Sequence, residues 1–215
     1  MRSNESTVYV VDDDASFRTA VSRLLRASGF TVKVYSSATE FLARHDGDAS
    51  GCVLSDLQMP QMNGLDLQSA LAMTGNPIPI LFLTAHGDIR STVQAMRDGA
   101  EDFLEKTAPK TELLDAVTRA IARDRQERNA RVRQSELRAL FDTLSERELE
   151  ALSHVVRGQL NKQIAWDLGI HERTVKLHRT AITTKLRVHS VAELTRLTQE
   201  ARIFQESTPT FPKGQ

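Results

Sequence analysis

Three carboxylates, a hydroxyl and an ammonium close short apolar runs in the first half of the sequence. Asp12 and Asp13 follow TVYVV, Asp56 ends CVLSD (52–56), Thr84 ends IPILFLT (78–84) and Lys106 ends DFLEK (102–106). If these runs are neighbouring parallel strands, the side chains converge on one rim. Carboxylates brought together without partners repel and raise one another's pKa. A hard divalent cation resolves that conflict. Mg²⁺ takes a few oxygen ligands, keeps water in its other positions and also binds phosphate oxygens. A nucleophilic carboxylate, a cation site, a hydroxyl donor and a positive charge are together the parts for phosphoryl transfer to a carboxylate. Taken singly, each residue has a plainer reading. Asp12–Asp14 suits a helix N-cap, Asp56–Pro60 a turn, and Thr84 or Lys106 an ordinary surface position.

The elements that must carry these residues are legible as an alternation. Strands are expected at 7–12, 31–35, 52–56, 78–84 and 102–106, from their β-branched and apolar runs. Helical spacing appears between them, at Ala15–Ser28, Ser37–Arg44, Gly64–Met73 and Asp88–Asp98. A last helix is expected from near Pro109. Five strands alternating with five helices imply a parallel sheet covered on both faces. The flavodoxin-like order 2-1-3-4-5 is the common solution, with functional groups at the carboxyl ends of the strands.

The chain has 215 residues, enough for two domains, with 40% hydrophobic and 26% charged residues. A single cysteine, Cys52, excludes an internal disulfide and suits a reducing cytosol. The polar start MRSNEST lacks a signal peptide's apolar stretch, and no apolar run is long enough to cross a bilayer. These features imply a cytoplasmic protein. Net charge is zero, but residues 1–122 carry 11 Lys+Arg against 16 Asp+Glu, and residues 123–215 carry 17 against 12. An acidic front half suits cations, and a basic back half suits nucleic acid.

The run RDRQERNARVRQSELR (123–138) has no Gly or Pro and few large apolar residues. It reads as a solvated helical connector or as a disordered one, and the lack of breakers favours helix. From Leu137 the pattern is helical. Ser145 with Glu148 forms a capping box for a helix ending near Gly158. Asn161 is expected to cap a short helix through Leu168, and Gly169 to turn the chain. A third helix is expected over Thr174–Leu186 and a fourth over Val191–Arg202, with STPTFPKGQ as a frayed tail. Two helices about a tight turn have the size of a helix-turn-helix. Ile164, Ala165, Leu168, Ile170, Val175, Ile182 and Leu186 are expected to bury, and Trp166 is read as core. Thr174, Lys176, Leu177, Arg179, Thr180 and Lys185 then point mostly outward, a basic and partly apolar face suited to a major groove. Asn161 and Lys162, at a helix start, suit a phosphate. A protein-binding module fits the same features about as well.

Residues 7–121 resemble a response-regulator receiver domain, through VVDDD (10–14), DLQMPQMNG (56–64), LTA (83–85) and FLEK (103–106). The resemblance implies that Asp56 accepts a phosphoryl group. It implies that Asp13, Asp56 and the backbone carbonyl of Gln58 bind Mg²⁺ (or Mn²⁺), with Asp12 acting largely through water. Thr84 would hydrogen-bond the phosphoryl group, Lys106 would pair with it, and Phe103 would be the aromatic that swings inward when Thr84 moves. One departure stands out. Such domains usually have a cis proline after the lysine, whereas this chain has Thr107. A cis bond there would cost roughly 3 kcal/mol, so a trans bond is expected.

Leu144–Leu194 resembles the LuxR/NarL/FixJ-type DNA-binding domain, through LSERELEAL (144–152), NKQIA (161–165), LGI (168–170), TVKLH (174–178) and KL (185–186). It implies that Lys176, Leu177 and Thr180 face bases, while Lys162, Thr174 and Lys185 hold the DNA backbone. His171 replaces the usual Ser or Thr cap, and Leu160 replaces a small hydroxyl residue. The expected organisation is a receiver (1–122), a helical linker (123–138), a four-helix DNA-binding domain (139–207) and a flexible tail (208–215). The expected protein is a transcriptional regulator rather than an enzyme. Its expected partners are a sensor histidine kinase, double-stranded promoter DNA, a second copy when phosphorylated, and RNA polymerase. Two other classes compete. A dehalogenase-like phosphatase would carry its nucleophile on the first strand, and a phosphorylation-gated adaptor would not bind DNA.

Overall fold

The computed structural model describes residues 6–45, 50–73, 78–85 and 89–204. The chain divides into two compact units, Met1–Arg128 and Asn129–Gln215.

The first unit holds β1 (Thr7–Val11), α1 (Ala15–Ala27), β2 (Thr31–Tyr35), α2 (Ala38–Arg44), β3 (Gly51–Asp56), α3 (Gly64–Ala72), β4 (Ile80–Thr84), α4 (Ile89–Arg97) and β5 (Asp102–Glu105). It also holds the start of α5 (Lys110–Phe141). The strands are all parallel, in the order β2-β1-β3-β4-β5. Alternate residues of each buried strand serve opposite faces. Tyr9 and Val11 join Phe41, Leu67, Leu71, Phe82 and Ala95 on one side. Val8 and Val10 join Leu25, Leu54, Leu81, Val117 and Ala120 on the other. The fourth strand begins at Ile80, two residues later than expected, because proline supplies no N–H to a ladder; the Pro79 carbonyl still accepts from Val53 N at 2.8 Å. Asp88, the expected start of the fourth helix, lies outside the described residues.

One polar cluster ties α5 to the start of β3. Asp124 is fully buried and accepts from the Gly51 N–H, the Ser50 hydroxyl and the Arg128 guanidinium, each at 2.9 Å. Gly51 has φ +142°, and an added Cβ would sit 1.8 Å from the Thr7 carbonyl oxygen, so only glycine fits. α5 runs unbroken for 32 residues, so the 123–138 stretch is helical.

In the second unit the end of α5 joins α6 (Glu146–Val156), α7 (Asn161–Leu168), α8 (Glu172–Leu186) and α9 (Val191–Ala201). Leu137, Phe141, Leu152, Ile164, Val175, Ile182, Leu186 and Leu194 form its core. Gly169 ends α7 in the left-handed region, at φ 63°. Three expectations are corrected here. Leu160, not Asn161, occupies the N-cap of α7, and the Gln163 side chain accepts the Leu160 N–H at 2.9 Å instead. α8 starts at Glu172, two residues early, with His171 as an N-cap that makes no side-chain hydrogen bond. Trp166 is 87% exposed rather than core. Each helical residue turns about 100°, so Trp166 lies about 200° from the buried Ile164. The expected tail (208–215) lies outside the described residues. No cis peptide occurs among the described residues, so Lys106–Thr107 is trans, as expected.

Candidate phosphoryl site and nucleic-acid interface

Strand register assembles the acidic rim. β1 pairs with β3 so that Val11 faces Ser55, which sets Asp12 beside Asp56 one residue on. β3 pairs with β4 so that Asp56 faces Leu83, next to Thr84. β4 pairs with β5 so that Thr84 faces Glu105, and the Lys106 N–H then donates to the Thr84 carbonyl at 2.8 Å. One carboxylate oxygen from each of Asp12, Asp13 and Asp56 lies within 4.8 Å of the others. Asp12 and Asp56 are buried, whereas Asp13 is exposed.

The Lys106 ammonium bridges the two buried carboxylates, 2.7 Å from Asp12 Oδ2 and 2.9 Å from Asp56 Oδ2. Burial alone would lower its pKa, but close contact with the charges of both carboxylates together outweighs burial and raises it. Asp12 moves the other way from an ordinary ion pair. Its desolvation outweighs the Lys106 hydrogen bond, so its carboxyl titrates above the usual range. One lysine is thus set against three carboxylates. That oxygen-rich, undercompensated pocket fits a divalent cation.

Thr84 is buried at the end of β4. Phe103 is half-buried, its ring tilted against Phe82 with centroids 6.1 Å apart. Gln58 meets Asp56 through its backbone N–H, at 3.3 Å from Oδ1. Asp14, not Asp12 or Asp13, caps α1, accepting from Ser16 N and Phe17 N. The N-cap reading and the acidic-site reading of the Asp triplet therefore both apply, to different residues.

Sequence reading missed three supports of this rim. Arg18 donates to the Asp12 carbonyl. The Phe17 ring lies 4.5 Å under the Lys106 ammonium. Gly64 lets the loop after β3 approach closely, since a Cβ there would lie 2.5 Å from the Asp56 carbonyl oxygen and 2.7 Å from Phe82. In the sequence Phe17 is one position within the expected helix Ala15–Ser28, and Gly64 marks only the start of another. The asparagine-glycine pair at 63–64 was the available signal for a tight approach.

In the second unit, α8 exposes Lys176, Leu177 and Thr180 and half-buries Thr174 and Arg179. Glu172 stands 3.8 Å from the Lys176 ammonium, one turn back. Lys162 is exposed and Asn161 half-buried at the start of α7. Both line an open groove with Glu172 and Arg179. Lys185 differs from the other basic residues. Its ammonium is 2.6 Å from Glu148 Oε2 and 3.1 Å from the Thr143 carbonyl.

A parallel five-stranded sheet with an acidic, lysine-bridged rim, followed by a helix-turn-helix unit, defines a phosphorylation-responsive DNA-binding regulator. Residues 8–118 match the response regulator receiver domain family, and residues 142–198 match the luxR family of bacterial regulatory proteins. The chain belongs to the response regulators with a LuxR-type DNA-binding domain, and it is a two-component transcriptional regulator, not an enzyme. It is 43% identical to the response regulator protein TmoT of Ectopseudomonas mendocina, over 94% of this chain and 92% of the relative. It is 38% identical to the transcriptional regulatory protein FixJ of Rhizobium meliloti, over 89% and 94%. The solved structure of the response regulator StyR superposes with TM-score 0.83 at 44% identity, covering 91% of this chain and 99% of that one.

Proposed function

We propose that Asp56 accepts a phosphoryl group from the phosphohistidine of a sensor kinase, and that this modification controls dimerisation and promoter binding. One observation carries the reading: the Lys106 ammonium bonds Asp12 and Asp56 together at 2.7 and 2.9 Å, at the end of adjacent strands. An Asp56 carboxylate oxygen attacks phosphorus, the P–N bond breaks, and the imidazole leaves. Asp12, Asp13, Asp56 and the Gln58 carbonyl would hold Mg²⁺ (or Mn²⁺), whose charge offsets that of the phosphoryl oxygens. Lys106 is released from one carboxylate and pairs with the phosphoryl group, and the Thr84 hydroxyl donates to it. Phe103 follows Thr84, filling the space beside Phe82.

Lys176, Leu177 and Thr180 are the base-facing residues of this reading, with Arg179 beside them. Asn161, Lys162 and Thr174 lie along the DNA backbone. The receiver is assigned to 1–122, the linker to 123–138 and the DNA-binding domain to 139–207. RNA polymerase is the partner at the promoter and the cytoplasm the place of action. Among the described residues no helix is long and apolar enough to cross a membrane.

The test is phosphorylation by acetyl phosphate with Mg²⁺. Wild-type protein takes up acid-labile phosphate and Asp56→Asn, correctly folded by circular dichroism, takes up none. Full incorporation into Asp56→Asn would refute the assignment.

A further inference from the structure

At the far end of α8, beside the buried Ile182 and Leu186, one carboxylate oxygen of α6 makes two charge-assisted or capping bonds. Glu148 Oε2 accepts from the Ser145 N–H at 2.7 Å, closing the capping box of α6, and from the Lys185 ammonium at 2.6 Å. The Ser145 hydroxyl accepts the Glu148 N–H at 3.2 Å in return. The same ammonium donates to the Thr143 carbonyl at 3.1 Å, in the turn between α5 and α6. Lys185 sits in the last turn of α8, where a cation also suits the helix dipole. Glu148 is only 7% exposed. A buried carboxylate does not release its counter-charge cheaply.

We propose that Lys185 is a positioning residue, whose bridge to Glu148 and the Thr143 carbonyl fixes the angle of α8 on α6, so that base discrimination depends on a lysine that grips no phosphate. The inference rests on α8 being the helix that reads DNA. Two physical consequences separate it from a backbone contact. First, the Lys185 ammonium, though partly exposed, is already paired with Glu148, so removing it should leave the number of counterions released from DNA unchanged. Second, nine residues separate Lys176 from Lys185, about 13 Å of helix. A tilt of roughly 10° about the Lys185 end would move Lys176 by about 2 Å. That displacement is enough to break bidentate base contacts while leaving diffuse attraction to phosphates unchanged.

The experiment compares full-length wild-type protein, Lys185→Met, Lys185→Arg and Glu148→Gln. Each is titrated against a duplex selected by the wild type from a random pool and against a scrambled duplex, over a series of KCl concentrations. For Lys185→Met, affinity for the selected duplex should fall by about tenfold, and affinity for the scrambled one by less than about twofold. Its slope of log K against log[KCl] should stay at the wild-type value, and Lys185→Arg should restore discrimination. Glu148→Gln keeps an acceptor oxygen but loses the charge, so it should lose discrimination in the same direction and to a smaller extent, although it removes no positive charge. A phosphate-gripping Lys185 predicts the opposite pattern, and that pattern would overturn the proposal. Lys185→Met would then weaken both duplexes equally and lower the slope by about 0.9, while Glu148→Gln, loosening the hold on the lysine, would bind at least as tightly as wild type. Should Lys185→Met fail to fold, Glu148→Gln alone decides, because the two readings give its effect opposite signs. Failure of the wild type to bind any duplex would instead refute the DNA-reading role of α8 itself.

Discussion

Asp124→Ala should be among the most damaging single substitutions in the first unit, although it lies far from the acidic rim. The carboxylate is fully buried and serves the Gly51 N–H, the Ser50 hydroxyl and the Arg128 guanidinium, each at 2.9 Å. Alanine leaves the buried Gly51 N–H without its acceptor, which costs about 1–3 kcal/mol. It also removes the carboxylate from a guanidinium whose side chain is only 20% exposed. Together with the lost Ser50 bond, the expected destabilisation is about 3–5 kcal/mol, the range for breaking a buried ion pair. Urea unfolding by far-UV circular dichroism should show the first-unit midpoint falling by about 1.5–2.5 M, for a slope near 2 kcal/mol/M. Asp124→Asn keeps an acceptor for Gly51 and should lose about half as much. Phosphorylation of Asp56 under native conditions should be unchanged, because β3 separates Gly51 from Asp56 by five residues, roughly 16 Å. A loss below about 1 kcal/mol for Asp124→Ala would refute the reasoning, by showing that water reaches the cluster and replaces the carboxylate.

Three other outcomes are expected. Mg²⁺ at a hundredfold excess over its Kd should stabilise the first unit by about 2.7 kcal/mol, and Asp13→Asn should remove most of that gain; an unshifted urea midpoint with MgCl₂ would contradict the cation site. Lys176→Ala should cost about 1–3 kcal/mol on a preferred sequence and relax the preference, whereas Lys162→Ala should weaken all sequences alike and lower the salt slope by about 0.9. Identical behaviour of the two variants across operator mutants would erase the division between base and backbone contacts. The Lys185 hydrogen bond, and then the Ser145 N–H, hold the Glu148 carboxyl below its ordinary value near 4.5. A depressed folded pKa gives stability that is fully present above the unfolded value and lost as pH falls through the folded one. Acid unfolding of the second unit should therefore steepen below about pH 4.5, and Glu148→Gln should flatten that limb.

The ends of β1, β3 and β4 were legible because fully buried apolar runs carry a strong signal and each is closed by a polar residue, Asp12, Asp56 or Thr84. Sheet order then brought Asp12, Asp56, Thr84 and Lys106 together without knowledge of any contact. The helix-turn-helix was legible in outline for a similar reason, since Gly169 and the buried Ile164, Val175 and Ile182 fix its turn and inner face. Contacts that depend on tertiary placement were not. Nothing in residues 123–138 marks Asp124 as buried, because its partners lie 73 and 74 positions away, at Gly51 and Ser50. Lys185 looked like any basic residue on an exposed helix until Glu148, 37 positions earlier, came within 2.6 Å. Trp166 was misread because size and hydrophobicity suggest core, whereas its angular position relative to Ile164 decides otherwise. The start of α8 was set late because His171 offers no capping side chain to mark it.

The exposed Trp166 also decides how this protein can be watched. It is the chain's only tryptophan, and it lies in the second unit. The only two tyrosines, Tyr9 and Tyr35, lie in the first unit, with ring centroids 6.5 Å apart and both side chains buried. Indole emission therefore carries no direct report of the receiver, and a fluorophore already in water changes colour little when its helix melts. Tyrosine absorbance and near-ultraviolet dichroism report the receiver instead. The two chromophore types divide the molecule along its unit boundary, so tyrosine signals can follow the first unit in an unlabelled sample, while unfolding of the second needs a backbone probe.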